Sequence, residues 1–211
     1  MSNRKGLWQR MAKVVSVALH PWLVFAAVVA LVAYDATDTR GEWGRWTLAT
    51  LFLAYTVPIL YLRLRAGMLG RGSSSRISIR SIFRERPQEL LLLACLFGVP
   101  SSLALYYLGG PDTVLAVLIA ATGTMVLASL LNFVYRASFH LALVTGMLSS
   151  LWVLFGAVSL VTVPIIAILG LARYRLGEHT SDQLVAGFVL GLMVTLTVFR
   201  GLGLWFGGGS G

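Results

Sequence analysis

The chain has 211 residues, of which 57% are hydrophobic and only 12% are charged, and it carries 17 Lys and Arg against 8 Asp and Glu. A soluble domain of this length would carry about twice that charged fraction, so the composition excludes a soluble globular protein. The net charge of +9 does not indicate a nucleic-acid partner, because membrane proteins hold Lys and Arg in their cytoplasmic loops. The single cysteine excludes a disulfide within the chain.

Seven apolar segments follow one another, and most approach or pass the roughly 18 to 20 residues that span a bilayer. In lipid a segment must satisfy its own backbone hydrogen bonds, so we expect helices. The segments do not alternate apolar and polar residues as barrel strands do. We therefore expect an all-α, polytopic transmembrane helix bundle of about six or seven membrane helices, forming one domain over residues 1–206. The segments are residues 14–34, 46–64, 90–109, 113–133, 139–155, 158–174 and 183–204.

Three local features modify this pattern. The first segment is too long for a signal peptide and is interpreted as a retained helix, in which His20-Pro21 predicts a kink with a locally satisfied histidine. The fifth and sixth segments are separated only by "GAVS". We expect two helices there, although one long bent helix would also fit. The end of the chain, "GGGSG" at 207–211, has the composition of a flexible appended linker.

The charges are distributed unequally between the two sides of the predicted bundle. One side comprises the N-terminus and residues 63–89, 134–138 and 173–182. It carries every Lys and Arg except Arg40, Arg45 and Arg200. By the positive-inside rule this side is cytoplasmic. We expect an integral protein of a bacterial or archaeal plasma membrane with its N-terminus inside.

Two of the three histidines lie at helix starts on this basic side, each close to an arginine. His140 follows Arg136, and His179 follows Arg173. Arginine forks match tetrahedral oxyanions, and helix N-termini add backbone donors for phosphate. Since an imidazole titrates near 6.5, one histidine can attack while another donates a proton. The pattern predicts a phosphoryl-transfer site with a phosphohistidine intermediate.

These residues resemble the type 2 phosphatidic acid phosphatase superfamily, the membrane relatives of vanadium haloperoxidases. Its three motifs are K-x6-R-P, P-S-G-H and S-R-x5-H-x3-D. This chain has "FRERP" with Arg86, "RASFH" with Ser138 and His140, and "ARYRLGEH" with Arg173 and His179, followed by "LVAG". The resemblance covers residues 80–200, and its third motif is the most specific.

The resemblance implies a role for each matching residue. His179 would be the nucleophile on phosphorus, and His140 the general acid for the leaving oxygen. The phosphate would be held by the other polar residues of the motifs and by the first-motif and loop arginines. This expected phosphate-binding set is Arg84, Arg86, Arg136, Ser138, Phe139 and Arg173.

The chain departs from the family pattern at three positions. Ile79 occupies the place of the first-motif lysine, and Arg80 or Arg84 could supply its charge. Phe139 replaces the second-motif glycine and is expected to crowd the phosphate. The acid that orients the nucleophile falls at Gln183, whose amide can accept the imidazole N–H. Asp182 is the alternative, on nearly the same helical face.

The expected activity is a metal-independent phosphatase that acts on a lipid phosphate monoester or diphosphate in the bilayer, such as a prenyl phosphate, phosphatidic acid or phosphatidylglycerol phosphate. No cofactor and no metal are expected, because two histidines without a cluster of acids fall short of a zinc site. Membrane lipids are the expected partners, and the sequence does not indicate an oligomeric state. The alternatives are a catalytically impaired lipid-phosphate-binding protein and, ranked lower for want of an internal repeat, a transporter.

Overall fold

The computed structural model describes residues 2–70 and 87–204, and within these ranges every regular element is helical. The prediction of an all-α polytopic bundle is therefore confirmed. The α-helices are α1 (Ser2–Ala18), α2 (Pro21–Asp35), α3 (Arg40–Leu51), α4 (Val57–Gly70), α5 (Pro87–Leu93), α6 (Val99–Tyr107), α7 (Asp112–Leu131), α8 (Phe139–Phe155), α9 (Thr162–Arg175) and α10 (Ser181–Gly201). The π-helical turns Phe52–Thr56 and Ala94–Gly98 join α3 to α4 and α5 to α6, and a 3-10 turn, Gly156–Val161, precedes α9.

Five helical stretches in the described residues are long and apolar enough to cross a membrane, and the bent pair α1–α2 makes a sixth. The longest of them, residues 139–175, folds back on itself. A methyl group placed on Gly170 would lie only 3.8 Å from Leu141 Cδ2, which a continuous helix could not bring about. Gly156 makes the reversal with a φ of 65°, a conformation that favours glycine. The predicted pair of helices around "GAVS" is confirmed.

The start of the second predicted segment, residue 46, is wrong by six residues. α3 begins at Arg40, because Thr39 Oγ1 accepts a hydrogen bond from the backbone N–H of Glu42 at 3.2 Å and caps the helix. Arg40 and Arg45, which precede the predicted segment, are therefore helical. Because these two residues are polar, a hydropathy pattern does not indicate the first turns of this helix.

The first predicted segment contains the expected kink. α1 ends at Ala18, α2 begins at Pro21, and the two helix axes differ by 44°. His20 is the N-cap of α2, and its Nδ1 accepts from the backbone N–H of Trp22 at 3.4 Å. The prediction of a kink with a satisfied histidine is confirmed. We call residues 16–21 the elbow.

Small residues hold α8 and α10 together at the centre of the bundle. A methyl group on Gly187 would lie 2.5 Å from the backbone oxygen of Ser138, and one on Gly191 would collide with the backbone of Ala142. Further along, Thr195 Oγ1 donates to the carbonyl of Gly146 at 2.9 Å. Such spacing of small residues is how membrane helices bring their backbones close. The packing fixes the start of α8 against the first turns of α10.

Candidate active site

Several helix ends meet at one end of the bundle and bring the predicted polar residues together. Both α8 and α10 begin there, and α9 ends there. The N–H of Ser138 donates to the carbonyl of Gln183 at 3.0 Å and ties the starts of α8 and α10 together. Arg173, near the end of α9, interacts electrostatically with both His140 and His179. Residues from three separate predicted segments thus lie near one another at this end of the bundle.

Gln183 determines the tautomer of His179. The Oε1 of Gln183 accepts from the backbone N–H of Thr180 at 3.3 Å, as the third residue of a helix does in a capping box. This bond orients the amide oxygen, which also lies 3.2 Å from His179 Nδ1. Because an amide oxygen can only accept, Nδ1 carries the proton of a neutral ring. The lone pair is then on Nε2, the nitrogen that can act as a nucleophile.

Asp182, the alternative residue for orienting His179, makes a different contact. Its Oδ2 accepts from the hydroxyl of Tyr135 at 2.6 Å, and its side chain is exposed. The reason is that His179 precedes the N-cap, Thr180, and lies outside the helix. The rule that residues three apart share a helical face therefore does not apply to the pair. Of the two alternatives, Gln183 is the one that contacts His179.

The surroundings of His179 favour its neutral form. Burial lowers the pKa of this half-buried imidazole below its ordinary value of 6.5, and the cations Arg173 and Arg136 lower it further. The hydrogen bond to Gln183 and the carboxylate of Glu178 act in the opposite direction without overcoming the burial. The ring is consequently unprotonated at neutral pH, as a nucleophile requires.

Arg173 is held by two neighbours. Its Nη1 lies 2.6 Å from Oε2 of Glu178 and donates to Ser16 Oγ at 3.2 Å. The side chain of Arg173 is 15% exposed and that of Glu178 is 30% exposed. A phosphate that binds Arg173 would therefore meet the carboxylate of Glu178 at the same guanidinium group.

His140 lies in the first turn of α8. Its Nε2 is buried and has no hydrogen-bond partner among the described residues. The ring stands 5.2 Å from that of His20, centroid to centroid, with an interplanar angle of 88°. It is also within electrostatic range of His179. The two histidines of the predicted chemistry thus lie at the same end of the bundle.

The other predicted phosphate ligands differ in their placement. The Oγ of Ser138 is buried without a partner among the described residues, while its N–H is already bonded to Gln183. Phe139 packs against the cluster of Leu62 and its neighbours, so its side chain turns to the apolar interior. Arg136 is exposed but within electrostatic range of His179. The remaining two, Arg84 and Arg86, lie outside the described residues, which resume at residue 87.

An apolar cavity of about 120 Å³ is lined in part by the chain neighbours of His20 and His140. Its walls include Phe139 from the start of α8 and Pro21 from the elbow. Both π-helical turns contribute to it, with Tyr55 from the first and Phe97 from the second. Because π-helical turns widen a helix locally and recur at functional sites, they account for the gap between these helices. Through Phe139 and Pro21 the cavity lies near the elbow and the start of α8, which carry His20 and His140.

The described residues contain no group of three His, Cys, Asp or Glu side chains placed to hold a metal ion. Sequence reasoning missed several neighbours of the site, namely Ser16, His20, Tyr135 and Glu178. His20 was noticed only as part of a kink, since nothing in a local pattern links it to a histidine 120 positions later. Glu178 directly precedes His179, and that adjacency was the one available signal.

The fold and the polar cluster define an all-α membrane protein with a histidine- and arginine-containing candidate site at one end of its helix bundle. Comparison of the chain with protein families, curated proteins and solved structures finds no match.

Proposed function

We propose that the chain is a membrane phosphatase that hydrolyses a lipid phosphate monoester or diphosphate through a phosphohistidine, in the manner of the type 2 phosphatidic acid phosphatases that its motifs resemble. The observation that carries the proposal is the arrangement of His179. Its Nδ1–H is fixed by Gln183, its pKa is lowered, and both Arg173 and His140 lie within range of its charge. These are the properties of a nucleophile beside an anion site and a second imidazole.

In the proposed reaction the Nε2 lone pair of His179 attacks phosphorus as the bond to the leaving oxygen breaks. His140, whose protonated form is favoured by the negative charge of a bound phosphate, gives its proton to that oxygen, and the lipid alcohol or lipid monophosphate departs. Water then attacks the phosphohistidine, His140 takes the water's proton as general base, and the P–N bond breaks to restore His179 and release inorganic phosphate. Arg173 stabilises the charge on the phosphoryl oxygens, and Arg84, Arg86, Arg136 and Ser138 are proposed to assist.

A lipid is the proposed substrate because of the apolar cavity beside the site. This cavity is lined by Phe139 and Pro21 and lies among membrane-spanning helices, so it would accept the first carbons of a hydrocarbon chain.

We place the site at the cytoplasmic face because the basic residues are concentrated on that side. A Cys95→Ala protein that carries Arg175→Cys tests this, since an impermeant maleimide added outside intact cells should leave it unlabelled.

The activity is tested by measuring phosphate release from prenyl phosphate, prenyl diphosphate, phosphatidic acid and phosphatidylglycerol phosphate, in detergent with EDTA present. We expect release from at least one of these lipids, with a loss on the order of 10³-fold or more in His179→Ala, as for removal of a catalytic nucleophile. Arg175→Ala is the matched control, because it changes an exposed arginine on the same helix as Arg173. Undiminished activity in His179→Ala would exclude the proposed nucleophile.

The second candidate is a protein that binds lipid phosphate without turning it over. It is favoured by the neutral amide at Gln183 where the family has an acid, and by the pairing of Arg173 with Glu178. This candidate predicts saturable binding of a lipid phosphate by the wild-type protein, binding that is lost in Arg173→Ala, and no phosphate release from any of the four lipids.

A further inference from the structure

The elbow between α1 and α2 places polar groups directly against the candidate site. The ring of His20 stands 5.2 Å from that of His140 at an angle of 88°. The backbone of Leu19 forms a hydrogen bond with His140, and Ser16 Oγ accepts from Arg173. All three elbow residues are far in sequence from residues 80–200, the region that carries the phosphatase resemblance.

The contact between the two imidazoles is more than the capping of α2 requires. Capping uses only Nδ1 of His20, which accepts from the N–H of Trp22, and an asparagine could supply the same acceptor. The ring beyond Nδ1 is left to stand edge-on against His140. A histidine ring rotates in a broad torsional well unless hydrogen bonds or packing hold it. A hydrogen bond to the backbone of Leu19 restrains one side of the His140 ring. Because Nε2 lacks a partner among the described residues, packing against His20 is a second restraint on the orientation of the ring.

We propose that His20 is a positioning residue, which holds the imidazole of His140 in the orientation needed to protonate the leaving oxygen. This inference rests on the proposed phosphatase function. The elbow thereby becomes part of the site: His20 orients the general acid while Ser16 supports the phosphate-binding Arg173. An imidazole misplaced by about 1 Å can cost on the order of 100-fold in rate, so a packing contact at this position affects the reaction directly.

Two substitutions separate the capping role from the positioning role. His20→Asn keeps an acceptor for the N–H of Trp22 but removes the ring, and His20→Phe keeps a ring against His140 but removes the acceptor. We expect His20→Asn to unfold at the wild-type temperature with kcat lowered on the order of tenfold and KM unchanged. We expect His20→Phe to unfold at a lower temperature, with kcat within about threefold of wild type. Wild-type kcat in His20→Asn would show that His20 is a helix cap and overturn the inference.

A double substitution tests whether His20 acts through His140. If it does, adding His20→Asn to His140→Ala should lower kcat no further, because the group that His20 positions is already absent. An additional tenfold loss in the double variant would contradict the proposed route.

A readout without turnover keeps this inference separate from the proposed function. The chain has three histidines, so ¹⁵N-histidine spectra of the protein in nanodiscs can be assigned by comparison with His140→Ala and His179→Ala. We expect His20→Asn to shift and broaden the ring signals of His140 and leave those of His179 in place. Unchanged His140 signals would overturn the contact, whereas a wild-type protein that releases no phosphate would overturn the proposed function and leave this result standing.

Discussion

The substitution Gly187→Ala tests the packing that holds the two histidine-bearing segments together. Its new methyl group would lie 2.5 Å from the backbone oxygen of Ser138, about 0.9 Å closer than the 3.4 Å at which ordinary contact begins. The atom in its way is backbone, so no side-chain rotation relieves the overlap. The start of α8 must move away from α10, and the Ser138–Gln183 backbone hydrogen bond must lengthen.

The magnitude follows from three terms. Overpacking of this kind costs about 1–3 kcal/mol, and weakening one hydrogen bond adds about 1 kcal/mol. Alanine returns about 1 kcal/mol through its higher helix propensity. The net destabilisation is therefore about 1–3 kcal/mol, with the fold retained. A relative shift of nearly 1 Å between His140 and His179 should lower kcat/KM by on the order of 100-fold.

The assay pairs thermal unfolding in detergent with phosphate release from a lipid phosphate. Gly201→Ala is the control, because it adds a methyl group to the same helix where nothing lies within 4 Å. It should have wild-type activity and unfold at a temperature no lower than that of wild type. If Gly187→Ala unfolds and reacts as Gly201→Ala does, α8 and α10 are not packed as described. Normal activity with a lowered unfolding temperature would instead refute the link between this packing and the site.

Three further predictions follow from the site. Because burial lowers the pKa of His179 below 6.5 and attack needs the neutral ring, the loss of kcat/KM on acidification should begin only below pH 6.5. A loss that begins above pH 6.5 as the pH is lowered would contradict this. Glu178→Gln should lower KM several-fold, since the phosphate no longer competes with a carboxylate for Arg173, and it should also lower kcat. Steady-state kinetics would measure both constants, with Glu42→Gln as the control, and a raised KM would contradict the prediction. Ala121→Phe fills the apolar cavity, so it should raise KM for a long-chain lipid phosphate by about tenfold and leave KM for a soluble phosphate ester unchanged. The control Leu127→Phe, at an outward-facing position, should change neither KM. Equal effects of Ala121→Phe on the two substrates would show that the cavity does not bind the lipid chain.

The helices of the bundle were largely predictable from hydropathy, since lipid requires long apolar runs. The predicted segment 139–155 coincides with α8, and "GAVS" contains the glycine whose positive φ reverses the chain. The start of α3 was not predictable in this way, because Arg40 and Arg45 are polar and still helical. Nor were the π-helical turns, which depend on packing between helices rather than on a local pattern.

The site was predictable as a set of residue types and not as a set of contacts. The grouping of His140, His179 and Arg173 follows from helix ends that share one side of the membrane. The choice between Asp182 and Gln183 depends on where α10 begins, because only the third helical residue can reach back to Thr180. Contacts made by the elbow depend on the tertiary packing of α1 and α2, which a local sequence pattern does not predict.

Gln183 stands where the phosphatases that the motifs resemble have an acid, and under the proposed function this difference can be understood from the charges around His179. When Nε2 attacks phosphorus with Nδ1 protonated, the imidazole becomes cationic, and a glutamine offers that cation only a dipole. Glu178 already supplies a negative charge near this ring, as its opposing effect on the pKa of His179 demonstrates. In the resting protein that charge is paired with Arg173. A phosphate that takes over Arg173 would release Glu178 to stabilise the imidazolium, so substrate binding and activation of the nucleophile would be coupled through one carboxylate. This is why the substitution of Glu178 is expected to lower KM and kcat together, a combination that a purely competing carboxylate would not produce.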